Sequence, residues 1–534
     1  MALAPLANTR ERTPVADIIL INPKFEVSFW GFEHALPFFG KRSNVPVAAL
    51  PLLAALTPAE HHVTLIDENV EAIDFERCAR ADIVGVTGMV VQRRRMREIL
   101  IELKARGIFA VVGGPWITVN EGYFADLADV VFVGEAEETW PQFLADWSAG
   151  KAGTRYEQTQ QTDMSRVPTP RLDLLKSDRY AFGSVQFSRG CPFQCEFCDI
   201  IVVFGRRPRL KSAEQIIAEL EALRARKWSM VFIVDDNLIG NKKAIKELLK
   251  HVIAWQHANG FPLTFVTEAS IDLADDDELM RLMVEANIGA VFVGIESTNE
   301  DSLREARKLQ NLRKNGSLLE KVRRIQEAGM EVWSGMILGF DHDDETVFDS
   351  HRRFCVSARI SMAMIGMLSA IPKTPLHARL AASGRLDPTD NPAEGTNVIP
   401  LQMTRKALSE GYVRLMADLY EPDAFFNRLD DLYVTGGIEI DRACRHYGAK
   451  HPWWRRARVA QNCLEAFGLM LRLFIGVREA PLRTTYRRRF LRVLRVRRNP
   501  AIIRVYAINC AIHYHMHRLV RALQARDRAV LNTY

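Results

Sequence analysis

The stretch "SRGCPFQCEFCDI" (Ser188–Ile200) puts Cys191, Cys195 and Cys198 within eight residues. It follows "SVQFS" (184–188), which reads as a strand. C-x-x-x-C-x-x-C on a loop after a strand is a metal-site spacing. A zinc site completes its tetrahedron with a fourth Cys or His. An iron–sulfur cluster is held by Cys thiolates, usually four. The nearest downstream histidine is His251, far along the chain. Three thiolates alone leave one iron of a cluster open to another ligand. Three unrelated cysteines and a zinc knuckle are the competing readings.

Downstream, "MVFIVDD" (230–236), "LTFVTEA" (263–269), "AVFVGIES" (290–297), "VWSGMILGF" (332–340) and "MAMIGMLSAI" (362–371) extend the series to six strands. Helical stretches separate them, such as "SAEQIIAELEALRARK" (212–227) with Ser212 placed as N-cap. Six β/α units predict a partial TIM-type (β/α)6 barrel over 176–388, with its chemistry at the strand carboxyl ends.

Upstream, "DIILIN" (17–22), "HVTLID" (62–67), "DIVGVTG" (82–88), "FAVVGG" (109–114) and "DVVFVG" (129–134) are nearly continuous in hydrophobicity. Parallel strands covered on both faces look like this. Helical segments lie between them, such as "RRRMREILIELKARG" (93–107), which ends on a C′ glycine. The reading is an α/β, doubly wound, Rossmann-like domain over 1–150, with its ligand beyond the strand carboxyl ends. Those ends carry Asn22-Pro23, Asp67-Glu68, Thr87-Gly88, Gly113-Gly114-Pro115 and Gly134-Glu135. No G-x-G-x-x-G follows the first strand, which argues against a dinucleotide. The polar segment 151–175 reads as a linker, and 389–534 as a mostly helical domain with an Arg-rich amphipathic tail.

The chain of 534 residues is 48% hydrophobic and 25% charged, an ordinary globular composition sufficient for about three domains. The first sixteen residues lack an apolar h-region, and the best apolar run, "LMLRLFIGV" (469–477), is short and holds Arg472. These features predict a cytoplasmic protein with reduced thiols. Cys78, Cys355, Cys444, Cys463 and Cys510 are then simple buried residues. Residues 451–534 hold 18 Arg, no Lys and three acids, so +15; with a total of +6, the first 450 residues carry −9. In "RRRFLRVLRVRR" (487–498), Arg alternates with Leu, Phe and Val. That suits peripheral contact with anionic lipid on the inner membrane surface better than nucleic acid. His513 and His517 of "HYHMH" share a helix face. No third ligand is in view, which argues against a metal pair.

The cysteine motif, with Phe197 before its third Cys, resembles that of the radical S-adenosylmethionine (SAM) enzymes. The resemblance implies that Cys191, Cys195 and Cys198 hold a 4Fe–4S cluster whose open iron is chelated by SAM. It places SAM contacts at Phe197, at Asp235 and Asp236 of "VDDN", at Glu268 of "TEAS", at Glu296 of "GIES", and at Gly335 and Gly339 of "SGMILGFD". The preceding α/β domain and "VFVGEAEETW" (131–140) resemble the cobalamin-binding, class B type methyltransferases of that superfamily. "FEHALPF", "DENVE", "RLKSAEQII", "VDDNLIGN", "VFVGIES" and "IPKTPL" narrow this to the subgroup of the hopanoid C-2 methylase and the bacteriochlorophyll side-chain methylases. Thr87, Gly88, Gly113, Gly114, Gly134 and Glu135 are then the cobalamin candidates. The D-x-H-x-x-G signature is absent: His34 has no Asp two before it and no Gly three after it. The resemblance is compatible with this absence, because many members of the class bind cobalamin without a protein histidine on cobalt.

The implied activity is methylation of an unactivated carbon through a 5′-deoxyadenosyl radical and methylcobalamin. The implied substrate is small and apolar, a hopanoid or isoprenoid lipid or a tetrapyrrole-like molecule. The aromatic segment "SFWGFEHALPFFG" (28–40) suits the cover of such a ligand. The implied electron donor is of flavodoxin or ferredoxin type. Two alternatives stay open: a radical SAM cyclisation, ring contraction or oxidation, and an iron–sulfur or nucleic-acid-binding accessory protein without SAM cleavage.

Overall fold

The computed structural model describes residues 15–312, 315–390 and 392–526. Residues 1–14, on which most of the leader reading rests, and Asp527 of the tail lie outside the described residues.

Two compact units form. The first holds the described residues through Lys24, Ala48–Thr162 and Pro168–Leu175; the second holds Phe25–Val47, Asp163–Val167 and Lys176 onward. The first unit is one parallel sheet. Its strands are β1 (Asp17–Asn22), β2 (His62–Asp67), β3 (Ile83–Thr87), β4 (Ala110–Gly113), β5 (Val130–Val133) and β6 (Arg155–Glu157), in the order β2-β1-β3-β4-β5-β6. Every residue of β3 is buried, as the continuous apolar pattern requires. The order reverses at β1, so the switch-point crevice opens between the carboxyl ends of β1 and β3. The helix Arg93–Ala105 ends with Gly107 at φ 65°, the left-handed C′ position.

The second unit carries β7 (Gly183–Val185), β8 (Ser188–Arg189), β9 (Arg209–Leu210), β10 (Met230–Ile233), β11 (Thr264–Glu268), β12 (Ile288–Glu296), β13 (Glu331–Leu338) and β14 (Ala363–Met367). Six of these make a parallel sheet in chain order, β7-β10-β11-β12-β13-β14, open between its two end strands. This is the partial barrel. Helices cross over between its strands, among them Ala213–Ala225, capped by a reciprocal Ser212–Gln215 box. The C-terminal part is helical and ends in Pro452–Gly476, Ala480–Val496 and Pro500–Gln524.

Three expectations change. The segment 151–175 is not only a linker. Tyr156 stacks on Phe132 at 5.5 Å between centroids, and β6 pairs in parallel with β5. Only the middle residue of β6 is buried, and that polar edge pattern hides the strand in the sequence. A domain boundary at 150 also fails to describe Phe25–Val47, which belongs to the second unit. There His515 Nε2 meets Ser28 O at 2.9 Å, and Phe32 packs against the His515 ring. Finally, the run 184–188 is broken after Val185, and Ser188–Arg189 pairs antiparallel with Arg209–Leu210.

The basic tail is partly internal. Arg489 is buried, and Asp430 accepts from Arg489, Arg492 and the Tyr506 hydroxyl at 2.7–2.8 Å. His513 is not free for a metal. It bonds the Tyr486 hydroxyl at 2.7 Å and Tyr420 O at 3.2 Å, and burial pushes its pKa down to about 3.

Candidate functional site

The cysteine loop leaves β7 and is fastened from several sides. Asp235 is buried; its carboxylate accepts from Phe187 N at 2.7 Å, from Ser188 N at 2.8 Å and from Ser188 Oγ at 2.6 Å. Asp236 accepts from Gly190 N at 2.8 Å. Gly190 has φ 95°, and a Cβ there would meet the carbonyls of Gly205 and Arg207 at 2.9 and 3.0 Å. Only glycine fits that approach. Further on, Glu196 N bonds Ala306 O at 3.1 Å, and Leu376 N bonds Glu196 O at 2.9 Å. Phe197 packs against Phe340 at 6.2 Å between centroids, beside an apolar cluster that includes Ile337, Leu368 and Leu376. The aromatic position of the motif thus anchors the loop to the barrel.

Cys195 is buried, and Cys191 and Cys198 are half-buried. All three are free thiols. Burial pushes the thiols of Cys191 and Cys198 up, and the neighbouring cysteines add to this. Gln310 Nε2 lies 3.8 Å from Cys195 Sγ, and Asn237 Nδ2 lies 4.0 Å from Cys191 Sγ. Burial works against the Lys308 ammonium. The Glu296 carboxylate at 2.6 Å and the charge of Cys195 nevertheless hold its pKa above the ordinary value. Among the described residues, no three His, Cys, Asp or Glu side chains converge as a single metal ion requires. A cluster asks for something else, because each thiolate takes a different iron. Its three thiolates are net negative, and amide donors and a buried ammonium around the sulfurs suit that charge.

Next to the loop the barrel strands end in carboxylates. Glu268 closes β11, and burial followed by the charge of Asp236 pushes it up to about 8. Burial likewise raises Asp235 to about 7 and Asp236 to about 6. Glu296 closes β12 in the left-handed region, φ 61°, where the register with β13 shifts. A non-glycine residue held there is strained, as functional strand ends often are. These four acids are brought together with Lys308. Buried carboxyls held this high ionise more readily beside an added cation, which fits a ligand carrying both an ammonium and a sulfonium, as SAM does.

Within this group and beside it, several residues of the expected SAM set are taken up by the protein itself. The oxygens of Asp235 are engaged by the loop's own N–H and hydroxyl groups, so it positions the cysteines. Gly335 is small because a Cβ would strike the Phe292 ring at 2.7 Å. Gly339 (φ 101°) gives its N–H to Asp343 at 3.0 Å and borders Leu408, so it is a turn position. Lys308, Gln310 and Asn237 escaped the reading of individual residues. Of these only Asn237 lies in a quoted motif, "VDDN".

The carboxyl edge of the first sheet is different. Gly114 has φ 110°, and a Cβ on it would lie 2.4 Å from Thr87 Oγ1 and 3.2 Å from Gly88 N. Gly134 (φ 85°) gives its N–H to Thr118 Oγ1 at 3.0 Å. A Cβ on Gly113 would touch Phe132 at 3.2 Å. Glu135 is buried and accepts from Thr162 N at 2.7 Å. Beside them, buried Asn22, Asp67 and Gln92 form a chain: Asn22 Nδ2 to Asp67 at 3.1 Å, and Gln92 Nε2 to Asn22 Oδ1 at 2.9 Å. This edge is closely packed backbone with fixed polar groups, and a Cβ on Gly114 would push Thr87 and Gly88 away from it. It suits a large ligand pressed against the main chain.

Family models match at these places. The radical SAM superfamily matches residues 185–354, the B12 binding domain 42–144, and a domain of unknown function, DUF4070, 374–529. The hopanoid C-2 methylase of Rhodopseudomonas palustris is 35% identical over 419 residues, 77% of this chain and 78% of that one. The chain belongs to the cobalamin-binding radical SAM methyltransferases. An uncharacterised methyltransferase of Synechocystis is 40% identical over 415 residues, 77% of either chain. The fold is that of two solved enzymes. The radical SAM methyltransferase TsrM of Kitasatospora setae, with cobalamin and a 4Fe–4S cluster bound, has TM-score 0.58 and 16% identity over 84% of this chain and all of that one. The cobalamin-dependent radical SAM enzyme OxsB has TM-score 0.57 and 13% identity over 97% and 83%. The cofactors of this family member are a 4Fe–4S cluster, SAM and cobalamin.

Proposed function

We propose that this methyltransferase places a methyl group on an unactivated carbon of a small apolar substrate, polycyclic or isoprenoid in type, by a radical route. One observation carries the substrate class. Trp30, from the loop after β1, packs on Phe292 of β12 at 4.9 Å between centroids. Phe292 is the ladder partner of Glu268, so an apolar wall stands beside the acid cluster. Two relatives support the reading: the hopanoid methylase and a bacteriochlorophyllide d C-8(2)-methyltransferase of Chlorobaculum tepidum, 26% identical over 63% of this chain.

In this reading Cys191, Cys195 and Cys198 hold the cluster, and Asp235, Asp236, Gly190 and Phe197 keep their loop in place. Glu268 and Glu296 meet the cationic part of SAM, with Lys308 balancing Glu296. Thr87, Gly88, Gly113, Gly114, Gly134 and Glu135 form the cobalamin edge. When bound, SAM on the cluster supplies one-electron chemistry and cobalamin a methyl carrier. The chain's own part is to orient, to hold charge and to exclude water. No acid–base dyad is assigned. A flavodoxin- or ferredoxin-type donor supplies the electron. The test is turnover with methyl-labelled SAM. A product about 14 mass units heavier that carries the label supports methyl transfer. Formation of 5′-deoxyadenosine with an unlabelled, altered substrate points instead to cyclisation or oxidation and overturns the proposal.

A further inference from the structure

The helix Pro452–Gly476 is long and apolar enough to cross a membrane by length and composition, yet only 22% of its apolar window is buried. Its inner face, Asn462, Ala466, Leu469 and Leu473, is buried, and the helix lies along Pro500–Gln524. The opposite face is Trp453, Leu464, Phe467, Leu471, Phe474 and Ile475. The spacing of three, four and seven residues keeps all six on one side. They are exposed: Trp453 80%, Leu464 75%, Leu471 60%, Ile475 73%. An apolar stripe of this size on a folded chain marks an interaction surface.

Charge identifies what covers it. Residues 451–498 contain thirteen arginines against two acids, Glu465 and Glu479. Glu465 is already paired with Arg504. Arg455, Arg456, Arg478, Arg487, Arg495 and Arg498 are exposed, with no carboxylate partner among the described residues. The helix Ala480–Val496 runs beside the stripe, joined by the Phe467–Phe490 ring contact and by Arg483 over Phe474. On it Arg487, Leu491 and Arg495 fall on one exposed line at i, i+4 spacing. A second copy would bring the same cations against these, which like-charge repulsion opposes. We infer that this face docks on an anionic lipid bilayer, with the helix lying in the interface. Spanning is excluded by geometry, because it would strip Leu469 and Leu473 from the core. The sequence reading put the contact on 487–498; the structure moves its apolar part to the preceding helix, since Arg489 and Arg492 serve Asp430. From the exposed flank of that helix Arg472 also holds the aromatic loop, donating to Phe38 O at 2.9 Å.

The test is flotation of the full-length protein with phosphatidylcholine vesicles, with and without phosphatidylglycerol. Binding is expected only with phosphatidylglycerol, weakening as salt is raised. Leu471→Glu with Ile475→Glu is expected to lower it at least tenfold, and Arg487→Ala and Arg495→Ala about fivefold each. All these positions are exposed, and an unchanged circular dichroism melt verifies folding. The inference is overturned by absent binding at low salt. It is also overturned by binding indifferent to both sets of variants, or by self-association that the glutamates abolish. No outcome depends on turnover, so the docking face and the methyl-transfer reading fail separately.

Discussion

At the carboxyl edge of the barrel sheet, Asp235, Asp236, Glu268 and Glu296 crowd beside three thiols, with Lys308 among them. At the carboxyl edge of the first sheet, Thr87, Gly88, Gly113, Gly114 and Gly134 present backbone, and Glu135 is already engaged by Thr162. Both edges come from parallel strands that end in the same way. One, the charged edge, is crowded with acids; the other, where Asp67 and Glu135 are tied to neighbours, is mostly bare backbone. A cationic ligand on an anionic cluster needs fixed charge in a dry place, where desolvation makes each charge costly unless it is matched. A bulky ligand held by shape needs the main chain to come close, and glycine permits that.

Four experiments strain this comparison, from the largest effect downward. Replacing Cys191, Cys195 and Cys198 by Ala should abolish the cluster's visible absorbance and its electron paramagnetic signal while cobalamin stays bound. A variant that keeps the cluster breaks the assignment of the charged edge. On the bare edge, Gly114→Val should lower bound cobalamin at least tenfold and cost about 1–3 kcal/mol of stability, since φ 110° disfavours any Cβ. Gly107→Ala is its control. Its φ is also positive, 65°, but no atom lies within 4 Å, so cobalamin should remain. Equal losses in both variants would mean that backbone strain, not the close packing at Gly114, decides binding.

The third experiment uses pH. Burial raises the Glu268 carboxyl from 4.5 to about 8, so the folded state binds more protons than the unfolded one in that window. Its contribution to stability is therefore fully present at low pH and is lost as pH rises towards 8. Asp235 and Asp236, raised to about 7 and about 6, act with the same sign. A bound cation favours the ionised forms, so SAM affinity should climb with pH up to about 8, by as much as about tenfold per unit. Calorimetry across this range should show the climb, and Glu268→Gln should flatten it. A flat profile in the unsubstituted protein would remove Glu268 from the SAM site. The smallest effect is expected from Gln310→Leu. Loss of the amide donor 3.8 Å from Cys195 Sγ should shift the cluster potential to a more negative value in a redox titration, with the cluster content unchanged.

Much of this arrangement is legible in the residues. Nearly continuous apolar strands, the Ser212 cap and the glycine after Ala105 are local rules, and the structure follows them. The cysteine spacing is also local, and so it is legible before the chain folds. Asp235 shows where local reading stops. It stands in the right motif, yet its oxygens are taken by Phe187 N and Ser188, nearly fifty positions earlier in the chain. Lys308 and Gln310 come from the segment after β12 and reach the sulfurs only because the barrel curls. The sixth strand was hidden because one buried residue, Tyr156, lies between two exposed charged ones.

The sequence by itself determined the two β/α series, the spacing of the three cysteines and the family to which the chain belongs, because periodicity and short spacings act within a few residues. Tertiary structure decided that Asp235 is spent on the loop's own N–H and hydroxyl groups while Glu268 ends in a buried cluster. It also decided that Phe25–Val47 leaves the first unit, and that Arg489 and Arg492 of the tail are spent on Asp430 while an apolar helix face stays uncovered. Those outcomes depend on which distant groups satisfy a buried charge or cover an apolar surface, and pairing at that range is set only when the chain has folded.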